Sequence, residues 1–282
     1  MNIFHAQSQL KQVIDNAKTA KQSIGFVPTM GAIHNGHLSL LQQALNENDV
    51  VVMSIFVNPT QFNNAEDLEK YPRTLDRDTQ LVHNLSNKII IYAPSVEDIY
   101  EGNTVADKFD YDGLENEMEG ANRPGHFDGV GTIVKKLFEI VSPTRAYFGE
   151  KDFQQLQIIK KMVAKNNMNI EVIGCPIFRQ DDGLAMSSRN ERLSEQAKKQ
   201  ATVLNTILLN AKKIFETETI SKVIAYVENE INNHKAFELE YFVIADEETL
   251  KTATTKEENK KYRGFLVAHI EGVRLIDNIA LN

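Results

Sequence analysis

Phe26-Val27-Pro28-Thr29-Met30-Gly31-Ala32-Ile33-His34-Asn35-Gly36-His37 runs from an apolar segment through a glycine-bearing turn into a helical pattern. The periodicity predicts a strand over 24–30 and a helix over 36–47, the latter from Leu38, Leu41 and Leu45 with Leu40 and Ala44 alongside. Strands that pass through short turns into helices are the units of α/β sheets. The turn is also suited to an anion, because N–H groups at a helix start and the helix dipole both favour phosphate. His34 and His37, at i and i+3, share one face of that helix.

The same alternation continues outward. Residues 49–57 are almost continuously apolar, as a strand buried on both faces of a parallel sheet must be. A loop follows at Asn58-Pro59-Thr60-Gln61-Phe62, then a helix over 75–86 and a strand over 89–92. Further on come a helix over 130–141, a strand over 145–148, a helix over 153–166 and a strand over 170–178. This pattern predicts an α/β fold with a Rossmann-like doubly wound parallel sheet. Such sheets bind ligands at the carboxyl ends of their strands. The His34/His37 turn, the Asn58–Gln61 loop and the Gly149–Asp152 turn all fall at such ends.

After Arg189 the character changes. Residues 195–216 and 220–234 read as helices, and 239–244 and 264–279 as antiparallel strands. A second, smaller α+β C-terminal domain is expected. The boundaries are 1–176 for the nucleotide- and acid-binding domain and 177–282 for the smaller one, which carries Met186–Arg189. Thr252–Lys261, rich in Thr, Lys and Glu, reads as a mobile solvated loop.

Composition narrows the function. The chain has 282 residues, 42% hydrophobic and 25% charged, with a formal net charge of -8. That balance argues against a nucleic-acid-binding surface, which needs clustered Lys and Arg. The single cysteine, Cys175, lies in an apolar run and reads as a buried structural thiol; a lone cysteine excludes an intramolecular disulfide and fits a reducing compartment. No leader pattern and no run of about 18 apolar residues is present, so a cytoplasmic protein without membrane contact is expected.

Several groups suit a nucleotide. His34 and His37 read as phosphate-binding imidazoles, against two alternatives: capping histidines, or metal ligands lacking a third partner nearby. Lys151, in Gly149-Glu150-Lys151-Asp152 at a helix start, is placed for phosphate, while Asp152 is either part of that site or a helix cap. Gly183-Leu184-Ala185-Met186-Ser187-Ser188-Arg189-Asn190 offers two hydroxyls and a guanidinium. Gln61 suits a hydroxy acid, having both donors and acceptors. In Leu75-Asp76-Arg77-Asp78 an acid is either a magnesium ligand or part of a solvated helix start. Arg123-Pro124-Gly125-His126-Phe127-Asp128-Gly129-Val130-Gly131 reads as a glycine-rich loop, a lid or wall or a simple turn.

These segments together resemble the pantoate–β-alanine ligase family of the nucleotidyltransferase superfamily. The likeness rests on Val27–Gly31, His34-Asn35-Gly36-His37, Phe56–Phe62, Tyr71-Pro72-Arg73-Thr74, Arg123–Phe127, Phe148–Asp152, Gln154-Gln155 and Asp182–Asn190, in the family's order over most of 24–190. Residues 195–282 carry no readable motif. The resemblance implies a ligase of pantothenate biosynthesis that condenses (R)-pantoate with β-alanine through a pantoyl adenylate, yielding AMP and pyrophosphate. It implies that Met30, Gly31, His34, Gly36 and His37 bind ATP, with His37 as proton donor. Gly149, Glu150, Lys151, Asp152, the Phe178 backbone, Met186, Ser187, Ser188 and Arg189 complete the ATP set. Gln61 and Gln155 hold pantoate, with Asn58 and Met30 beside them and Gln61 also near β-alanine. Mg²⁺ accompanies ATP, Asp78 being a weak candidate ligand, and a homodimer is expected. Three other classes compete: an adenylyltransferase acting on a phosphorylated substrate, a tRNA-binding synthetase fragment, and a non-catalytic nucleotide sensor. The neutral Gln61/Gln155 pair, the acidic charge and the intact His34, His37, Lys151 and Arg189 count against them in turn.

Overall fold

The computed structural model describes residues 2–62 and 65–282. The chain opens with β1 (Asn2–Phe4), α1 (Gln7–Thr19), β2 (Ile24–Thr29), α2 (Asn35–Glu47) and β3 (Val50–Ile55). It continues through α3 (Ala65–Glu69), α4 (Leu75–Leu85), β4 (Ile90–Tyr92), α5 (Val96–Tyr100), α6 (Met118–Asn122) and α7 (His126–Val141). Then come β5 (Arg145–Gly149), α8 (Phe153–Lys165) and β6 (Glu171–Cys175). The remainder holds α9 (Glu195–Ala201), α10 (Val203–Thr217), α11 (Ile220–Asn233), β7 (Glu238–Asp246), β8 (Tyr262–Ile270) and β9 (Val273–Ala280).

The chain forms two compact units. The first ends at Glu150 and resumes over Gln155–Cys175; the second comprises Lys151–Gln154 and Pro176–Asn282. In the first, β1 to β6 make one parallel sheet in the order β1-β4-β3-β2-β5-β6. The doubly wound parallel sheet expected from the alternation is therefore present. Its order reverses at β2, which pairs with β3 on one side and β5 on the other. In open α/β sheets that reversal is where ligands enter, at the carboxyl ends of the strands. Thr29 ends β2 and Gly149 ends β5, so the segments after both strands emerge there.

One layer of core packs Val27, Val51, Met53 and Ile91 of the strands against Leu40, Leu41 and Ala44 of α2 and Val82 of α4. Each Val, Leu, Ile or Met side chain among them contributes about 1.5–3 kcal/mol when fully removed from water. Cys175 is buried at the end of β6, and burial pushes its thiol up to about 11. It stays protonated and inert, as its apolar run implied.

The second unit has its own core. Leu204, Ile207, Leu208 and Ala211 of α10 and Val223 and Val227 of α11 pack on Phe242, Leu266 and Leu275 of an antiparallel β7-β8-β9 sheet. The helix expected over 195–216 is two, parted at Thr202, whose hydroxyl donates back to the Lys199 carbonyl at 2.8 Å. Such back-bonding competes with the helical ladder. Residues 252–261 are exposed over most of their length.

The largest departure lies at Arg123–Gly131. Instead of a glycine-rich loop, α7 begins at His126 and runs through both glycines. A Cβ on Gly129 would stand 2.3 Å from the Thr60 carbonyl oxygen. The glycine marks a helix pressed against the Asn58–Gln61 segment, not a turn. Residues 126–131 are the start of α7, packed against the Asn58–Gln61 segment, and not a loop.

Candidate active site

Met30, Gly31 and Ala32 turn the chain from β2 toward α2. Gly31 and Ala32 both lie in the left-handed region, at φ 85 and 50. For Ala32 that conformation costs about 1–2 kcal/mol. Asp78 supplies the compensation: its carboxylate, fully buried, accepts the N–H groups of Ala32 and Ile33 at 2.9 and 2.8 Å and the Thr74 hydroxyl at 3.1 Å. With both oxygens engaged inside the protein, Asp78 braces the turn. Its assignment as a magnesium ligand is corrected accordingly.

His34 is the N-cap of α2 and His37 its third residue, and the two close a reciprocal capping box. His34 Nδ1 accepts the Gly36 N–H at 3.1 Å, and His37 Nδ1 accepts the His34 N–H at 3.4 Å. The rings stack with centroids 4.0 Å apart and planes at 25°. The capping alternative is thus real, and it coexists with a ligand role. Because both Nδ1 atoms accept, each neutral ring carries its proton on Nε2, a donor set by the helix start itself. Meanwhile the N–H groups of His37 and Leu38 donate to the His34 carbonyl at 2.9 and 3.1 Å. The N–H groups of Gly36 and His37 are therefore engaged within the cap. The expectation that Gly36 binds ATP therefore cannot run through its N–H, which His34 Nδ1 already accepts.

The segment after β3 forms a single 3₁₀ turn over Pro59–Gln61. Here Asn58 is 1% exposed and its amide is saturated. Its Nδ2 donates to Gln61 Oε1 at 3.2 Å and to the Gly129 carbonyl at 3.1 Å. Its Oδ1 accepts from the Tyr100 hydroxyl at 2.6 Å and lies 3.1 Å from the Thr60 hydroxyl, which also stands 3.0 Å from the Tyr100 oxygen. An amide has two donors and two lone pairs, so none remains for substrate. Asn58 positions Gln61, a correction to its placement beside pantoate. Burial holds the Tyr100 phenol above its ordinary value, which keeps it a donor.

Gln61 is half-buried, with Oε1 occupied by Asn58 and Nε2 donating to Met30 Sδ at 2.9 Å. One bond at each end leaves the amide one N–H and one lone pair, so donor and acceptor both remain. Its carbonyl lies 2.8 Å from His126 Nδ1, and His126 Nε2 lies 3.2 Å from Arg123 Nη1. Arg123 can only donate, so His126 accepts at Nε2 and donates from Nδ1. Met30, Asn58 and Gln61 are thus brought together directly. Gln155 sits in the first turn of α8, half-buried, while its neighbour Gln154 is buried.

In the second unit, Lys151 follows Glu150 in a 3₁₀ turn. Its side chain is 15% exposed and 3.8 Å from the Asp152 carboxylate, so it is far more covered than a lysine in an open wet cleft. Phe178 and Met186 join through the Met186 N–H and the Phe178 carbonyl at 3.0 Å, and Arg179 bridges Ala185. Ser187 caps the next turn by accepting the Arg189 N–H at 3.3 Å. Lys151, Ser187 and Arg189 line one small cavity together with Arg274 and Asp277. A lysine, a hydroxyl and a guanidinium converging on one space is the donor set an anionic oxygen requires. Ser188 stands between the two lining residues at the start of the turn.

Sequence reasoning missed Tyr100, Arg274 and Asp277, and took His126 only as part of a glycine-rich loop. The missed residues act through partners distant along the chain.

Comparison with known proteins converges on one family. The sequence pattern of the family described as Pantoate-beta-alanine ligase matches residues 2–280. Pantothenate synthetase of Flavobacterium psychrophilum is 56% identical over 281 residues, covering 100% of both chains. That of Christiangramia forsetii is 51% identical over 282 residues, again covering 100% of both. Among solved structures, pantothenate synthetase from Thermus thermophilus superposes with a TM-score of 0.91 at 38% identity, covering 100% of this chain and 99% of that one. A pantoate-beta-alanine ligase from Francisella tularensis, complexed with beta-gamma ATP and beta-alanine, gives 0.79 at 36% identity, covering 100% and 98%.

Proposed function

We infer the reaction from membership: the chain belongs to the pantoate-beta-alanine ligase family. It is an enzyme of pantothenate biosynthesis, joining pantoate to β-alanine in an ATP-dependent condensation. In the reading adopted, an oxygen of the (R)-pantoate carboxylate attacks the α-phosphorus of ATP. That P–O bond forms as the bond to pyrophosphate breaks, giving pantoyl adenylate. The β-alanine amine then attacks the acyl carbon. The C–N bond forms, AMP departs with the bridging oxygen, and the nitrogen loses its proton. Adenylation replaces an oxide leaving group by a phosphate monoester, and the protein's share is positioning and charge neutralisation.

The observation that carries this reading is the tautomer set by the His34/His37 cap. Two Nε2–H donors at the carboxyl end of β2 suit the oxygens of a triphosphate, where charge grows as pyrophosphate leaves. His37 is the proton donor of the pair. Met30 and Gly31 line the same turn, Gly149 ends β5 and Glu150 follows it. Gln61 and Gln155 take the pantoate oxygens, Gln61 also facing β-alanine. In the second unit Lys151, Asp152, Met186, Ser187, Ser188, Arg189 and the Phe178 backbone belong to ATP. Mg²⁺ enters with ATP as part of the substrate. Among the described residues no group of three or more His, Cys, Asp or Glu is placed to hold a metal, and the Asp78 carboxylate is engaged by the Ala32 and Ile33 N–H groups. Likewise, no helix among them is long and apolar enough to cross a membrane. A cytoplasmic homodimer completes the proposal, as does the division into domains 1–176 and 177–282, with Lys151–Gln154 grouped with the second.

Isotope exchange tests it. Pantoate alone should support exchange between ATP and pyrophosphate, whereas AMP should accumulate only with both organic substrates. Exchange that waits for β-alanine instead would sink the adenylate sequence.

A further inference from the structure

The last strand ties together the two ATP-binding segments of the second unit. On β9, consecutive side chains leave opposite faces of the sheet. Asp277 pairs with Leu266 of β8, whose side chain belongs to the core under α10 and α11; Asn278 pairs with Phe265, which packs on Phe153 with ring centroids 6.0 Å apart.

Each of the two polar residues grips a different segment. The Asp277 carboxylate takes both ends of the Arg179 fork, at 2.7 and 2.9 Å, and is 6% exposed. Arg179 also donates to the Gly183 carbonyl at 3.2 Å, so the guanidinium crosses the hairpin that leads from Phe178 to Met186 and on to Ser187. Asn278 is 2% exposed. Its Oδ1 accepts from Arg263 Nη1 at 2.6 Å, and Arg263 is itself held by Glu247 at 2.8 Å and lies 3.9 Å over the Phe153 ring. Because arginine only donates, this fixes the amide: Nδ2 must point the other way, and it donates to the Lys151 carbonyl at 2.9 Å. The two grips are joined, since Asp277 Oδ1 accepts the Asn278 N–H at 2.8 Å.

We propose that the adjacent pair Asp277–Asn278 is a positioning element for ATP: Asp277 sets the Ser187–Arg189 loop through Arg179, and Asn278 sets Lys151 through its backbone carbonyl. The proposal rests on the reading that Lys151 and Ser187–Arg189 bind ATP. It gives residues 195–282, which carry no readable sequence motif, a stated share in positioning ATP. Neither residue touches the reacting atoms. Bidentate and charge-assisted bonds of this kind fix geometry to a degree that single neutral bonds do not.

The experiment is a set of three double-mutant cycles on the full chain, read as KM for ATP, KM for pantoate and the urea unfolding midpoint. Asn278→Asp keeps the acceptor for Arg263 and deletes the donor to Lys151. It should raise KM for ATP about tenfold and leave KM for pantoate within about twofold, and its effect should vanish in a Lys151→Ala background. Asp277→Asn should act in the same direction and lose its effect in an Arg189→Ala background while keeping it in Lys151→Ala. Asn278→Ser, which keeps a smaller donor, should recover part of the loss and covers the case in which Asn278→Asp does not fold. Equal rises in both KM values, persisting in every background, would show a merely structural role and overturn the proposal. Wild-type ATP kinetics in Asn278→Asp and Asp277→Asn would overturn it alone if Lys151→Ala and Arg189→Ala are impaired. Silence in those two as well would bring down the underlying assignment with it.

Discussion

Asp78 and Ala32 meet at 2.9 Å, carboxylate to backbone N–H, across 46 residues of sequence. The bond holds a non-glycine residue in the left-handed region at the point where β2 turns toward the histidine cap. Asp78→Asn would set an amide N–H₂ or a neutral oxygen against two backbone donors. It should lower stability by about 2–4 kcal/mol, the range for breaking a buried charge-assisted pair. Thr74→Ala, which removes only the hydroxyl donor, should cost about 1 kcal/mol. Urea unfolding decides it, and an Asp78→Asn protein as stable as wild type would show that the turn needs no brace.

Tyr100 holds Asn58, and Asn58 holds Gln61, the proposed pantoate ligand. Tyr100→Phe removes the 2.6 Å donor to Asn58 Oδ1 and leaves that oxygen to Thr60. A loss of about 1–2 kcal/mol in holding Gln61 should appear as a several-fold rise in KM for pantoate, with KM for ATP unchanged. In a Gln61→Ala background the Tyr100 substitution should add nothing. Additive losses there would mean that Tyr100 supports the fold generally.

The strand–turn–helix unit at 24–47 was legible because its apolar spacing changes period where the backbone changes direction. The pair His34 and His37 could be found from spacing, but their tautomer could not, since it depends on which Nδ1 faces which N–H. Gly129 misled the reading: glycine signals both turns and close approach, and only the position of the Thr60 carbonyl tells them apart. Asp78 misled it similarly, because an acid near a site looks like a metal ligand until its partners are seen. The short β1, three residues long, gives no periodic signal, whereas Leu10, Ile14 and Ala17 of α1 do and were left unread. Asp277 and Asn278 lie in a strand where polar residues normally face solvent, so their inward grips were invisible.

Lys151→Ala should cost about 2–4 kcal/mol of transition-state stabilisation, or about 30- to 1000-fold in rate. Its side chain is 15% exposed, so both its packing and its desolvation are removed together and stability should move by no more than about 1 kcal/mol. The check is steady-state turnover beside an unfolding curve. Wild-type turnover would reduce Lys151 to a covered lysine at a helix start.

Acid should weaken the second unit through Glu240. Arg274 binds both of its oxygens, at 2.7 and 2.9 Å, and that hydrogen bonding holds the carboxyl below its ordinary value. A depressed carboxylate stabilises the folded state above its unfolded value, about 4.3, and that share is lost as pH falls through the lower folded value. Glu240→Gln should therefore be less stable than wild type at neutral pH, and the gap should close below about pH 4. A gap that stays constant from pH 7 to pH 3 would rule out the ionised pair as its source.

His37 has two jobs that one substitution confounds. It accepts the His34 N–H in the cap, and its Nε2–H is the proposed donor to the triphosphate. His37→Ala removes both, so about 1 kcal/mol of stability should go along with activity. His37→Glu separates them. A carboxylate at the third helix position closes a capping box and suits the positive end of the helix dipole, so stability should return to that of wild type. Activity should not return, because an acceptor of negative charge replaces a donor beside phosphate. Within the reaction, both variants should slow adenylate formation more than the attack of β-alanine on preformed pantoyl adenylate, since only the first step releases pyrophosphate. Single-turnover measurement of each half-reaction supplies the test. If His37→Glu recovered both stability and adenylate formation, the ring would be a cap and nothing more; if the second step alone were slowed, the assignment of His37 to the departing pyrophosphate would be wrong.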